Sequence, residues 1–371
     1  MARQETACDL GRRLVYEGML PEGIAEAFQV QEMACRTLGS EIYAELCGRA
    51  RRDLDAGGVV AKVFDDWKGS PVPDAVVLRF LGAVHRIVLE GRAAELASHY
   101  PSAGGAPRWP ALWDAFVQVV QQNFTEVRNR LGEQLQTNEV NRCAALIGGF
   151  LQIAARTRLP LRILEIGSSA GLNQAWHRYV YRDGDTHYWG PQDAPVQIAC
   201  RWHGRPQHLD ATVRITERRG CDIVPIDVCD DRQVHKLDSF IWPDQLERLH
   251  QLRAAIAIAR HDPPRIDPQP AAEWLAVRLS EPRTGVASVV FHSTMWWYMS
   301  EGEREAVTRT IHAAGAKASA TDPLAWLQME IRGRREADLL LQTWPDGHEV
   351  LLAHAHPHGR EVWWRDDAAA P

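Results

Sequence analysis

The sequence predicts an α/β protein, with a mainly parallel sheet of seven strands that ends in an antiparallel hairpin and an all-helical region ahead of it. Three observations predict it. Up to about residue 155, apolar positions recur at helical spacing. From residue 160 onward, short apolar runs alternate with helical segments, which implies right-handed crossovers and a parallel sheet covered on both faces. Near the end, residues 337–344 and 348–353 flank Pro345-Asp346-Gly347, a hairpin signature.

The clearest helix is 74–90, where Val77, Phe80, Leu81, Val84, Ile87 and Val88 share one face; Asp74 reads as its N-cap and Gly91 as its stop. A second helix is expected over about 110–135 and a third over about 138–156, with an irregular loop from Tyr100 to Pro107 before them. The first strand is Leu161–Gly167, entered from Pro160. Further strands are expected at 222–228, 264–267, 286–291 and 324–331, separated by helices at about 230–241, 244–260, 270–280 and 301–314. The domain reading is a helical cap over 1–135 and an α/β core over 136–371.

Composition narrows the function classes. The formal charge of −6 disfavours a nucleic-acid protein. No apolar run approaches the ~20 residues of a membrane helix, and the first residues hold no apolar stretch suited to a signal peptide. Seven cysteines, an odd count with no C-x-x-C spacing, fit a reducing cytoplasm better than a disulfide framework or a structural zinc. The expected partner is a small-molecule substrate, with neither nucleic acid nor membrane; the oligomeric state is not legible. The fourteen tryptophans, including the doublets at 296–297 and 363–364, read first as packing.

The most informative segment runs from Leu164 to Asn173. Glu165, Gly167, Ser168, Gly171 and Asn173 form a strand end, a tight turn and a helix start, the Rossmann-like layout of a nucleotide-type site. The same letters contain Gly167-x-Ser169-x-Gly171, the nucleophile elbow of a serine hydrolase. Against the hydrolase, that fold takes part of its oxyanion hole from a loop ahead of the elbow, whereas here everything before the first strand reads as helical. Downstream, Asp222, with Asp227 as second choice, Asp267 and the 289–293 strand end fall where class I S-adenosylmethionine-dependent methyltransferases place ribose, adenine and substrate contacts. The glycine loop departs from the E/D-x-G-x-G-x-G pattern by Ser169 in place of the central glycine.

The chain resembles an uncharacterised bacterial family, domain of unknown function 2332, from about residue 25 to 360. The segments that carry the resemblance are 136–143, 165–173, 220–228, Trp242-Pro243-Asp244, Phe291-His292-Ser293 and His356-Pro357-His358-Gly359. The resemblance implies a helical N-terminal region on a methyltransferase-like core and supplies no reaction.

Several other groups are candidates. Asn138 reads as a helix N-cap that shares a face with Arg142; Asn138, Glu139 and Arg142 then close over the donor or grip substrate. His354, His356 and His358 would share one strand face, suited to proton transfer or, for two of them, to a metal; no metal is assigned. His292 suits acid–base work, and Trp296, Trp297 and Tyr298 could wall a pocket or bury a helix. Arg218-Arg219 and the cluster of Arg332, Arg334 and Arg335 read as solvated faces.

The reading that follows is transfer of a methyl group from S-adenosylmethionine to an unidentified small molecule. Glu165, Gly167, Ser168, Gly171, Asn173, Asp222 and Asp267 would hold the donor. His292, His356 and His358 would do acid–base work, and Asn138, Glu139, Arg142 and Trp296 would meet the acceptor. The alternatives are a non-catalytic binder of a nucleotide-type ligand and a serine hydrolase at Ser169.

Overall fold

The computed structural model describes residues 23–280, 283–332 and 336–365. The expectations that touch Cys8, the opening segment, Arg334 and Arg335 lie outside the described residues. Two compact units are present. The first takes the described residues up to Thr137 together with Asp230–Arg253; the second takes Asn138–Cys229 and the described residues from Ala254 onward. The sequence reading assigned 230–253 to the α/β core.

The first unit contains α1 (Ile24–Thr37), α2 (Glu41–Asp55), α3 (Val59–Phe64), α4 (Val76–Leu89), α5 (Ala94–Ala97), α6 (Ala111–Gln122), α7 (Phe124–Arg130) and α9 (Asp231–Ser239). Phe80, on the predicted apolar face of α4, sits edge-on against Phe28, Phe64 and Phe116, at ring distances of 6.1, 5.3 and 5.6 Å. Residues 230–253 join this unit because Trp242 is buried in its core and Asp244 caps α2, accepting from Ser40 Oγ at 2.6 Å and Ile42 N at 3.0 Å. The helix expected over 110–135 is two helices. At Asn123 the side chain donates to Val119 O at 2.9 Å and competes with the helical ladder. The 74–90 helix starts two residues late, at Val76, after Ala75 in the left-handed region; Asp74 does not cap it.

The second unit contains α8 (Cys143–Thr157), α11 (Ala271–Arg278), α12 (Glu301–Gly315) and the strands; α10 (Leu246–His261) runs from the first unit into the second. The strands are β1 (Leu161–Ile166), β2 (Val180–Asp183), β3 (Thr186–Trp189), β4 (Gln197–Ala199), β5 (Arg201–His203), β6 (Ile215–Asp222), β7 (Arg265–Pro268), β8 (Ala287–Ser293), β9 (Leu324–Ile331), β10 (Ala337–Trp344), β11 (His348–Ala355) and β12 (Glu361–Trp364). Nine of them form one sheet in the order β5-β12-β11-β10-β9-β8-β1-β6-β7; β3-β2-β4 form a small second sheet. From β7 to β9 all neighbours are parallel, and β10 and β11 make the predicted hairpin.

Among the described residues the main sheet therefore has nine strands, where seven were expected. The two added strands, β5 and β12, have three and four residues, too short to show periodicity. They pair across 160 positions, sealed by Arg201–Glu361 at 3.0 Å and by the His203 ring flat on Trp363 at 5.2 Å. The strand expected at 222–228 lies upstream, at Ile215–Asp222. Its charged residues hid it, while the apolar Ile223 and Val224 that suggested a strand are exposed in the turn after it.

The order β7-β6-β1-β8-β9 is the doubly wound order, with its reversal between β1 and β8. Phe150 of α8 stacks on Trp176 at 4.5 Å and meets Phe291 edge-on, covering one face. Trp274, Leu275, Val307 and Ile311 of α11 and α12 cover the other, against Leu164, Ile166, Val290 and Trp326.

His85 gives the helical unit an acid sensitivity. It is fully buried, between Ser239 O at 3.1 Å and Ser102 Oγ at 2.8 Å, and burial lowers its pKa from 6.5 to about 4. Between those values the unfolded chain holds the extra proton, so this contribution to stability is lost as pH falls from 6.5 through 4, by up to about 1.4 kcal/mol per unit. Thermal melting against pH should show a shallower acid slope for His85→Gln than for the wild type. Equal slopes would mean that His85 does not titrate in this way.

Candidate functional site at the carboxyl edge of the sheet

The reversal of strand order opens at the carboxyl end of β1, where the glycine loop begins. Gly167, Ser169 and Gly171 take positive φ of 65°, 52° and 66°. The loop is pinned by its neighbours: Ser168 N donates to Cys221 O at 3.0 Å, Ser168 Oγ to Glu165 O at 2.9 Å, and Ser169 N to Asp222 Oδ2 at 2.8 Å. Asp222 Oδ1 accepts from Val224 N at 3.0 Å, so one carboxylate organises both the loop and the turn after β6. The helix expected after the loop is a seven-residue 3-10 turn, Leu172–Arg178, and the crossover continues through the small sheet. The helix-dipole argument for an anion therefore does not hold here. The approach to the glycines is also occupied: a Cβ on Gly167 would meet Met295, and one on Gly171 would meet Pro264, each at 2.8 Å.

Glu165 is the chemically distinctive group. It is fully buried, one of its oxygens has no partner, and burial raises its pKa from 4.5 to about 8. Gln174 and Ser168 beside it and the charge of Arg142 offset this only in part, while Asp222 adds to it. Both amide atoms of Gln174 and the Ser169 hydroxyl are likewise buried without partners. Gly220, opposite Glu165 on β6, makes room for them, since a Cβ there would lie 2.0 Å from Ser168 Oγ.

The segment ahead of α8 closes this edge. Asn138 is not the N-cap of its own helix, because α8 starts at Cys143; its Oδ1 instead accepts from Leu172 N at 3.0 Å. Asn141 donates to Ala199 O and Gly359 O, at 3.2 and 2.7 Å, and accepts from Ala199 N at 3.0 Å. Arg142 donates to Pro357 O and Ser293 O, both at 3.0 Å. Glu139 is buried among them, and Asn173 Oδ1 accepts from Cys143 Sγ at 3.5 Å. The structure thus brings Asn138, Glu139, Arg142, Asn173 and the glycine loop together with the 356–359 turn.

The three histidines do not share a strand face. His354 ends β11 against Asp338 at 2.8 Å, while His356 and His358 lie in the turn beyond it, with rings 5.5 Å apart and His356 Nδ1 accepting from His358 N at 3.1 Å. His292 lies apart from Glu165. Glu165 is in register with Phe291, so the next residue on β8 points to the opposite face. There His292 Nδ1 bonds Glu330 Oε1 at 2.7 Å, its Nε2 has no partner, and its ring stacks on Trp296 at 4.9 Å. Glu330 also accepts from Met295 N and Trp296 N, fixing the turn. Trp297 and Tyr298 are exposed. Asp267 is committed within the protein: it accepts from Arg219, Arg278 and Trp274 Nε1 at 3.0, 3.0 and 2.6 Å, which anchors α11 to the sheet. Glu330 and Gln174 were missed by the sequence reading; their only signal is a polar residue inside an otherwise buried element.

The family described as "Uncharacterized protein conserved in bacteria (DUF2332)" matches residues 25–364. The chain belongs to this family. No curated protein and no solved structure matches it. The match contains all the segments that build the edge of this DUF2332 chain, from the 138–142 clasp to the 356–359 turn.

Two outcomes are expected. The carboxyl of Glu165 ionises near 4.5 in the unfolded chain and near 8 in the folded one, so stability falls as pH rises through that window, by up to about 1.4 kcal/mol per unit. Glu165→Gln should remove this slope and melt above the wild type at pH 8; coincident curves would reject a protonated buried carboxyl. Gly359 has φ +70°, and a Cβ on it would lie 2.0 Å from Asn141 O. Gly359→Ala should cost about 2–4 kcal/mol in urea unfolding, and a cost under about 0.5 kcal/mol would show that the clasp does not require this close approach.

Proposed function

We propose that the α/β unit binds S-adenosylmethionine at the β1–β8 reversal and transfers its methyl group to a small molecule. The observation that carries this reading is Glu165, a buried carboxyl with an open oxygen at the end of β1. A buried carboxyl of this kind gains most from a cationic partner, and the donor's α-amino group is one. Asp222, at the end of the neighbouring strand, keeps acceptor capacity beyond its two backbone bonds for the ribose hydroxyls. The Ser169 hydroxyl and the Gln174 amide offer further polar contacts, while Met295 must leave the face of Gly167. The donor supplies an electrophilic methyl group on a sulfonium.

His292, expected to do acid–base work, is left out of the acceptor set: it is buried on the opposite face of the sheet from Glu165, with Nδ1 on Glu330 and its ring on Trp296. Asp267 is left out of the donor set because its oxygens serve Arg219, Arg278 and Trp274. One observation favours the hydrolase instead: Ser169 has φ +52° and a free hydroxyl at a strand-to-turn elbow. Its hydroxyl bonds no imidazole, which favours the donor reading.

Calorimetric titration with S-adenosylmethionine and S-adenosylhomocysteine tests the proposal. We expect binding that weakens at least about tenfold in Glu165→Ala and Asp222→Ala, the worth of one lost charged contact. At neutral pH the heat should depend on the buffer, because pairing with an ammonium group makes the Glu165 carboxyl give up its proton to solvent. Absence of binding to folded wild type, up to about a millimolar (a Kd no tighter than about −4 kcal/mol), overturns the donor assignment. Fluorophosphonate labelling at Ser169 would then establish the hydrolase. Binding without turnover across a broad acceptor panel would point to a ligand-binding module.

A further inference from the structure

β7 pairs with β6 only over Arg219–Asp222. Over Ile215–Arg218 the outer edge of β6 is not paired with any strand among the described residues. Strand alternation sends Glu217 and Arg219 to one face of the sheet and Thr216 and Arg218 to the other, and at an uncovered edge both sets reach the same space. That space is a cleft of about 660 Å³ within the second unit.

Its lining is unusual in charge. Arg162, Arg178, Arg218, Arg219, Arg265 and Arg283 face it, against Glu217 and Asp262, an excess of four positive charges. Each carboxylate is shared. Glu217 Oε2 lies 2.9 Å from Arg162 Nε and 3.1 Å from Arg283 Nη1. Asp262 Oδ2 holds Arg178 at 2.5 Å and Arg218. Arg219 is gripped by Asp267, which also holds Arg278. Burial, together with the neighbouring guanidinium groups, holds the pKa of Arg162 and of Arg218 below the usual arginine value and that of His177, also in the lining, down to about 4. The cleft therefore concentrates cations that its own acids do not neutralise, in a protein whose overall charge is −6. Arg218 and Arg219 are not the solvated faces that the sequence suggested; they belong to the strand that lines the cleft.

From this cleft we infer a binding site for a small ligand carrying two or more phosphate groups. Guanidinium forks match phosphate oxygens in pairs, and six of them from five chain segments suit a chain of phosphates better than a single monovalent anion. The concave form and bounded volume favour a small molecule over a nucleic-acid backbone. The site is lined without Glu165, Asp222 or His292, so it stands or falls independently of the donor reading.

The probes are inorganic triphosphate and pyrophosphate, titrated calorimetrically into the full chain, with sodium sulfate at matched ionic strength as the control. The variants are Arg178→Gln, Arg265→Gln and Arg283→Gln, all at partly or largely exposed side chains whose loss the fold should tolerate. Triphosphate should bind more tightly than pyrophosphate, sulfate should give no saturable heat, and each variant should weaken triphosphate by roughly three- to tenfold, in line with the loss of one charge-assisted contact. Melting temperature should rise with triphosphate in the wild type and less in each variant. No saturable binding of either phosphate to folded wild type, or binding that all three variants leave unchanged, would overturn the site. Single-stranded oligonucleotides that bind more tightly with increasing length, and compete with triphosphate, would overturn the small-ligand assignment in favour of a nucleic-acid backbone.

Discussion

Backbone groups at the carboxyl edge of a parallel sheet have left the ladder and still need partners. In this protein the stretch from Asn138 to Arg142 supplies them. Its side chains bond Leu172 N beyond the glycine loop, both backbone groups of Ala199 in the small sheet, Ser293 O at the end of β8, and Pro357 O and Gly359 O in the last turn. Four pieces of chain that are far apart in sequence are thereby fixed to it around one edge. After β1 the chain makes only a short 3-10 turn, Leu172–Arg178, whose first N–H is taken by Asn138.

Polar atoms buried without a partner occur in both units, and several of them stand together at this edge. Glu165, Ser169 and Gln174 carry partnerless atoms around the loop; His292 Nε2 does so on the opposite face. Other carboxylates are shared out: Asp267 serves three donors, Glu330 serves one imidazole and two backbone N–H groups, and Asp244 caps α2. On the proposed reading, the open atoms around Glu165 are where a cationic ligand gains most. The arginine cleft follows another logic. Its side chains are paired, yet each of its carboxylates is divided between two guanidinium groups, so charge rather than hydrogen-bonding capacity is left over.

Aromatic packing explains most of the tryptophan content without invoking a ligand. Trp176 and Trp274 are fully buried on opposite faces of the sheet, Trp202 meets Trp364 edge-on at 5.8 Å, and a Cβ on Gly148 would strike Trp364. Trp296 lies flat on the His292 ring, as Trp363 does on that of His203.

By itself the sequence determined what is local. Helical periodicity placed α4, the Pro-Asp-Gly turn placed the hairpin, and an apolar run ending in glycine placed β1 with Glu165 at its tip, because these patterns depend on residues within a few positions of one another. Tertiary structure alone decided what depends on distant partners. It paired β5 with β12, found β6 in a charged stretch that pairs with β1 and β7, and joined 230–253 to the helical unit. It also gave Asn138 a loop to hold instead of a helix to cap, committed Asp267 to α11, and joined His292 to Glu330, 38 positions away. The single letters are the same in either role; whether a carboxylate holds its own protein or waits for a ligand depends on which donors the fold brings to it.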